Sequence, residues 1–421
     1  MNIFKFENII ELFKQGQTLH EHGDLPSAKY IYEKVLTINP DHFDSLHLLS
    51  IIETQTGNLS LGLDLIKKAI KINPYDSAAY VTIGRIAYDH GQVDIAITNF
   101  NMAISFNTDP ARFEPYLNKA IALLSIGELY KGFGLYEWRW KHEKFKSNIY
   151  DYDKPLWLGI TNIKDKTILL YAEQGYGDTI QFCRYVKLVT NLGAKVLLQV
   201  PKPLMKLLES LDGVDILIEE NTMLPHFDYH CPLMSLPLAF KTEIDTIPEP
   251  TPYLSNEKEK LEFWSNRLGK KIKPRIGIVW SGSVNHENDN NRSLILKQLL
   301  CYLPDVCEYV CLQKEIREVD LDILANSNIR HFCDEILDFS DTSALCELMD
   351  VVITVDTCTA HLAGAIGKQT WVLLPFVADW RWLIDKEYTP WYNSVKLYRQ
   401  SQIKEWDSVL ARISTDLLNL H

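Results

Sequence analysis

Glycines at positions 23, 57 and 91 recur every 34 residues, and a fourth, Gly127, follows after 36. The tripeptide Ile-Asn-Pro keeps the same interval, ending at Pro40 and again at Pro74. A period this long and this regular confines the first third of the chain to stacked copies of one supersecondary unit. Each glycine lies between two amphipathic segments, as in "LHEHGDLPSAKYIYEKVLTINP", where it ends the first helix in the left-handed conformation. Small residues follow five positions later (Ala28, Gly62, Ala96, Gly132), where two helices would approach closely. Large apolar residues then recur at Tyr32, Ile66, Phe100 and Tyr136.

These positions resemble tetratricopeptide repeats, with a small residue at the eighth position (Gly16, Ser50, Gly84, Ala120) and a closing proline. The resemblance covers about residues 7–142 in four units and implies a helical superhelix whose concave groove recognises a peptide or protein. A spacer or dimerisation role stands beside that reading. The fourth unit departs from the pattern: it carries an insertion near Pro110–Pro115 and ends in "YEWRW", as a docking cap would.

After residue 146 the pattern changes to short apolar runs alternating with helical segments, which implies parallel sheets. Strands are expected at 167–172, 195–200, 214–219 and 229–231. A second series is expected at 275–280, 309–313, 329–332, 351–355 and 370–374, after the Pro-rich stretch at 246–254. The chain then divides into 1–145 (about four repeats), a linker at 146–166, a first lobe at 167–250, a second lobe at 251–400 and a C-terminal helix at 401–421. In open α/β sheets ligands bind beyond the carboxyl ends of the strands, so the turns there are the places to look.

Composition narrows the functions. The chain has 421 residues, is 46% hydrophobic and 23% charged, and carries a net charge of −12, which disfavours nucleic acid as the main partner. No apolar run reaches the roughly 18 residues needed to span a bilayer, so no transmembrane segment is expected. The N-terminal "MNIFKFENIIELFK" lacks the form of a signal peptide, and a cytoplasmic location is expected. Eight cysteines without a C-x-x-C pair read as buried free thiols rather than a zinc site.

Two strand-end turns stand out. "YAEQGYGDTIQF" brings Gln174, Gly175 and Gly177 to a helix that starts near Asp178. A helix N-terminus usually attracts an anion, yet this one brings its own carboxylate. "VDTCTAHLAGAIG" ends a fully apolar strand at Asp356 and opens a helix with Thr357, Cys358, Thr359 and His361. Its free N–H groups and hydroxyls suit a phosphate pair, although the same residues equally serve a capped core helix. Ser281, Gly282 and Arg292 follow another strand, and Gln313 and Lys314 a third; each could assist at a phosphate. Trp380, Arg381 and Trp382 could stack on a base or sugar, or seal an interface.

"EQGYGDTIQF", "IGIVWSG", "CLQKE" and "VDTCTAHLAGAIGKQTWVLLPF" together resemble the C-terminal enzymes of bacterial tetratricopeptide proteins related to glycosyltransferase family 9, which includes the lipopolysaccharide heptosyltransferases. The likeness covers about residues 165–400. The layout also resembles O-linked N-acetylglucosamine transferase, in architecture only. The resemblance implies a GT-B fold of two Rossmann-like lobes, acceptor on the first and nucleotide-sugar donor on the second. It also implies a C-terminal helix that crosses back to the first lobe. It makes Asp178 the general base and Asp356, Thr357 and His361 the diphosphate site, with Cys358 where heptosyltransferases tend to have glycine. Catalysis without a metal or other cofactor is expected, with a protein or glycan acceptor presented by the repeats. The D-x-D triplets at Asp151–Asp153 and Asp320–Asp322 do not follow strands and are read as chance. A non-catalytic scaffold and a sugar-nucleotide epimerase are the competing functions.

Overall fold

The computed structural model describes residues 2–143, 152–248 and 252–420, with side chains from residue 9 onward. Part of the expected linker, Asp151 and the middle of the Pro-rich stretch lie outside the described residues. The chain forms two compact units, Met1–Leu123 with Leu135–His142, and Leu124–Gly134 with Glu143–His421.

The first unit is built from helix pairs: α1 (Asn2–Glu21) with α2 (Leu25–Ile38), α3 (Phe43–Gln55) with α4 (Leu59–Ile72), and α5 (Ser77–Asp89) with α6 (Val93–Ser105); α7 (Glu114–Ser125) and α8 (Leu129–Tyr136) follow in the chain. Glycines 23, 57 and 91 hold φ of +79°, +93° and +73°, the left-handed turn that lets each second helix fold back. Asp24 and Asp76 cap their helices by accepting the N–H groups of Ser27 and Ala79.

Side-chain volumes explain why the eighth position is small. A Cβ on Gly16 would stand 2.7 Å from the Tyr32 ring, and one on Gly84 would stand 2.4 Å from the Phe100 ring. Tyr32 and Phe100 thus face glycine, whereas Ile66 stands opposite Ser50 and Tyr136 opposite Ala120 in the repeat pattern. A Cβ on Gly62 would likewise meet Thr54 Oγ1 at 2.4 Å, so α3 and α4 touch through it. The "YEWRW" tail belongs to this unit from Tyr136 on. Trp138 stacks on Tyr116 at 3.9 Å, and the buried Arg139 pairs with Glu137 at 2.6 Å.

The second unit holds two sheets. The first is four-stranded and parallel, in the order β3-β2-β1-β4: β1 (Thr167–Tyr171), β2 (Lys195–Val200), β3 (Ile216–Glu219) and β4 (Tyr229–Pro232). The second runs β6-β5-β7-β8-β10-β9: β5 (Arg275–Val279), β6 (Glu308–Cys311), β7 (Val351–Val355), β8 (Thr370–Leu374), β9 (Tyr388–Thr389) and β10 (Tyr392–Arg399). All its pairings are parallel except β9 with β10. Strands β7 and β8 are buried at every residue, as a parallel sheet covered on both faces requires. A repeat array followed by two Rossmann-like lobes is the expected fold class.

Three elements differ from the sequence reading. The apolar run at 329–332 forms only a single bridge, Arg330 to Val310. The residues after β8 supply β9 and β10, which were not foreseen. The C-terminal helix, Asp407–Leu418, does not cross to the first lobe; it buries Val409, Leu410, Ile413 and Leu417 against the second sheet beside Trp371 and Tyr398. Its Asp416 accepts Lys396 of β10 at 2.8 Å.

Gly84→Val should overpack the Phe100 contact and destabilise the repeat unit by about 1–3 kcal/mol. Urea unfolding followed by circular dichroism measures it; an unchanged midpoint would show that the ring is free to move.

Candidate functional site

The strand orders select the site. The neighbours of β1 in the first sheet and of β5 and β7 in the second mark where chain direction along the sheet reverses, and crevices open at such switch points. The loops after these three strands carry Gln174–Asp178, Ser281–Gly282 and Asp356–His361.

After β1 the chain turns at Gly175 into α9 (Tyr176–Phe182). Asp178 sits at the third helical position and accepts the Gly175 N–H through Oδ2 at 2.9 Å. The helix thus caps itself with the acid, which settles why a carboxylate stands at this N-terminus. After β7, Thr357 precedes α10 (Cys358–Ala365) without giving the helix a side-chain cap. The Thr354 hydroxyl donates to the Val355 carbonyl at 2.7 Å, so at 3.1 Å Thr357 is the donor to Thr354. Its hydroxyl is therefore engaged within the protein.

The two helix starts meet. A Cβ on Gly177 would stand 2.9 Å from His361 Cδ2 and 3.3 Å from Cys358 Cα. The acid turn of the first lobe and the Asp356–His361 turn of the second therefore face one another in direct contact. His361 cannot give way: its Nδ1 lies 3.0 Å from the Tyr392 hydroxyl, and its ring stacks on Trp382 at 5.1 Å. Burial, reinforced by the positive charges of Arg381 and Arg184, holds its pKa well below the usual histidine value. In a neutral ring one nitrogen donates and the other accepts, and Tyr392 occupies Nδ1.

Charged groups ring this contact. Arg381 donates to Asp178 Oδ1, to Asp379 Oδ1 at 2.8 Å and to Gln181 Oε1 at 3.0 Å. Arg292 donates to the Asp356 carbonyl at 2.7 Å and packs its guanidinium on Gly282, where a Cβ would meet Nη2 at 2.6 Å. A side chain at 282 would displace the arginine. Arg317 completes the loop, reaching the Gly282 carbonyl at 2.9 Å and Asp289 Oδ2 at 2.6 Å. The Asp356 pKa is raised to about 6, first by burial and then by Asp379. The Trp382 indole N–H forms no hydrogen bond of ordinary geometry, yet with Arg292 and Arg381 it pulls in the opposite direction. Burial also pushes the Cys358 thiol up to about 11, so it is no thiolate nucleophile near neutral pH.

Other residues named from sequence are engaged within the protein. Gln313 accepts the N–H groups of Trp280 (2.7 Å) and Ser281 (3.1 Å) and donates to Ser281 Oγ and the Glu315 carbonyl, which clamps the loop after β5. Lys314 donates to the carbonyls of Ile336 and Leu337. Thr359 is buried. Asp320, in the second D-x-D triplet, is also buried and accepts the Trp280 indole at 2.8 Å, a structural role. Among the described residues no cluster of His, Cys, Asp and Glu is arranged to hold a metal ion, and no helix is long and apolar enough to cross a membrane. Sequence reasoning gave Arg381 only a stacking role and did not single out Asp379, Arg317 or Tyr392. Arg381 and Asp178 lie 203 positions apart, and nothing local in the sequence joins them.

No protein-family model matches the chain. Protein FlbA of Caulobacter vibrioides is 22% identical over 429 residues, which cover 95% of this chain and 71% of FlbA. The CTR9 homolog of Arabidopsis thaliana is 31% identical over 97 residues, 23% of this chain and 9% of its own length. Among solved structures, the glycosyl transferase family 9 protein from Veillonella parvula DSM 2008 aligns over 62% of this chain and 99% of its own, with a TM-score of 0.45 and 11% identity.

Two variants test this geometry. Gly177→Ala should force the two helix starts apart and lower stability by about 1–3 kcal/mol, because the fixed His361 ring leaves no room; a thermal melt identical to wild type would contradict that. Asp356 titrates at about 6 folded against 3.8 ordinarily, so its ionisation opposes folding. That cost is absent below pH 3.8, grows as pH rises to about 6, and persists above. Asp356→Asn should therefore stabilise the protein at pH 7–8 by on the order of 1–3 kcal/mol, with the gain vanishing as pH falls toward the ordinary carboxylate range. Denaturant titrations at several pH values read this out; a gain that does not depend on pH would contradict the assignment.

Proposed function

We propose that the second unit is a glycosyltransferase that moves a sugar from a nucleotide-sugar to an acceptor hydroxyl. The observation that carries this reading is the contact of two strand-end helix starts, one bearing a carboxylate and the other ringed by arginines. Transfer of this kind needs both: a group to take the hydroxyl proton, and a site for the departing nucleoside diphosphate.

Asp178 is the base in this reading. Each of its oxygens has one protein partner, Gly175 N–H or Arg381, and a carboxylate oxygen accepts in two directions. Its side chain remains 20% exposed, so an acceptor hydroxyl can reach it. As that hydroxyl attacks the anomeric carbon, its proton passes to Asp178, and the bond from carbon to diphosphate oxygen breaks with its electron pair leaving on the diphosphate. The start of α10, Arg292 and the neutral His361 supply the positive potential and the donors for that leaving group. The reaction uses no metal. The repeat unit presents a protein or glycan acceptor, and the enzyme works in the cytoplasm.

Incubation with a panel of UDP-, GDP-, ADP- and CMP-sugars, followed by mass spectrometry, tests the proposal. Wild type should release the nucleoside diphosphate or monophosphate from at least one donor. Asp178→Asn should slow that release by about 100-fold or more while leaving nucleotide affinity in place. Undiminished release by the variant would remove Asp178 from the role of base. A wild type that neither binds nor cleaves any donor would leave a non-catalytic scaffold.

A further inference from the structure

Asp178 and Arg381 are brought together by elements on opposite lobes, and one apolar side chain touches both carriers. Phe133 lies in a stretch that the repeat period assigns to the fourth repeat, yet residues 124–134 belong to the second unit. It is fully buried. Its ring meets Phe182 edge-on at 6.0 Å and 86°, and Trp380 at 5.5 Å and 89°. Phe182 stands one helical turn after Asp178 on α9, on the same side of the helix. Trp380 precedes Arg381, whose guanidinium lies 4.1 Å over the Trp380 ring.

Ahead of Phe133 the segment meets both lobes. The Ser125 carbonyl accepts the N–H of Ile384, just beyond the Trp380–Trp382 turn, at 3.0 Å. Gly127, at φ +87°, lies so close to Ile244 that a Cβ would meet its Cδ1 at 2.5 Å. Trp391 closes the cluster, edge-on to Phe182 at 5.7 Å. Edge-to-face rings fix relative orientation as well as distance, and an interior without voids transmits a displacement instead of absorbing it.

We propose that Phe133 is a positioning residue of the transfer site: it fills the socket between Phe182 and Trp380 and so holds the Asp178 carboxylate and the Arg381 guanidinium in register. This rests on the glycosyltransferase reading for its functional consequence. It makes residues 124–134, which look like repeat in the sequence, part of the machinery that sets the base. Emptying the socket lets the two carriers shift independently, and a shift of about 1 Å at a reacting group costs on the order of 100-fold in rate.

The test uses the full chain with Phe133→Ala and Phe133→Leu. Calorimetry with UDP, ADP, GDP and CMP measures nucleotide affinity, and release of nucleotide from the cognate sugar donor gives kcat across pH. Phe133→Ala should keep the nucleotide Kd within about threefold, reduce kcat by roughly 100-fold and alter the acid limb of the pH profile. Phe133→Leu, which refills most of the socket, should recover to within about 10-fold of wild type. Added to Asp178→Asn, Phe133→Ala should cause no further loss, because both remove the same function. An unchanged kcat, a loss equal in affinity and rate, or a full further loss on top of Asp178→Asn would each overturn the proposal. If wild type cleaves no donor, the glycosyltransferase reading fails separately. The positioning claim is then decided by a thermal-unfolding double-mutant cycle of Phe133→Leu and Arg381→Lys: coupled shifts are expected, and additive ones would overturn it.

Discussion

The absence of a side chain at Gly177 is the constraint on which the site depends. It lets the start of α9 lie against His361 and the backbone of Cys358, so the strand-end turns of two separate sheets share one location. His361 is wedged there by Tyr392 and Trp382, and Tyr392 opens β10, so the second sheet itself sets the limit of approach. With this contact in place, Asp178 and Arg381 can pair across the lobes, and Arg381 can reach Asp379 and Gln181 in the same stroke.

Electrostatics then divide the site into two kinds of surface. On one side the carboxylate of Asp178 is satisfied on each oxygen and still has acceptor directions to offer. On the other, Asp356 and Asp379 repel one another while Arg292 and Arg381 counter them, and burial keeps His361 neutral. A neutral acceptor hydroxyl suits the first surface. An anion suits the second, because two arginines and a helix N-terminus attract negative charge there.

Much of the fold was legible because its signals are local. The spacing from Gly16 to Tyr32 and from Gly84 to Phe100 is a packing rule within one helix pair, so a single sequence displays it. Strands β1, β2, β7 and β8 are short apolar runs that a parallel sheet demands. Strand β9 was missed because it is two residues long, and β10 because Asn393, Lys396 and Arg399 interrupt its apolar residues. Gln313 is an instructive case. A glutamine beyond a strand end has the form of a ligand contact, but the loop after β5 already presents two N–H groups to it. Arg381 shows the opposite limit: its importance comes from partners 203 and 200 positions away, and only the folded chain brings them together.

The most direct test of the shared site is calorimetric titration of UDP, ADP, GDP and CMP into wild type, Arg292→Gln and Asp178→Asn. We expect one nucleotide to bind wild type, Arg292→Gln to weaken it by about 10-fold or more, and Asp178→Asn to leave it nearly unchanged. No binding by any of the four nucleotides, or equal loss in both variants, would contradict a site divided between an acceptor carboxylate and a donor helix.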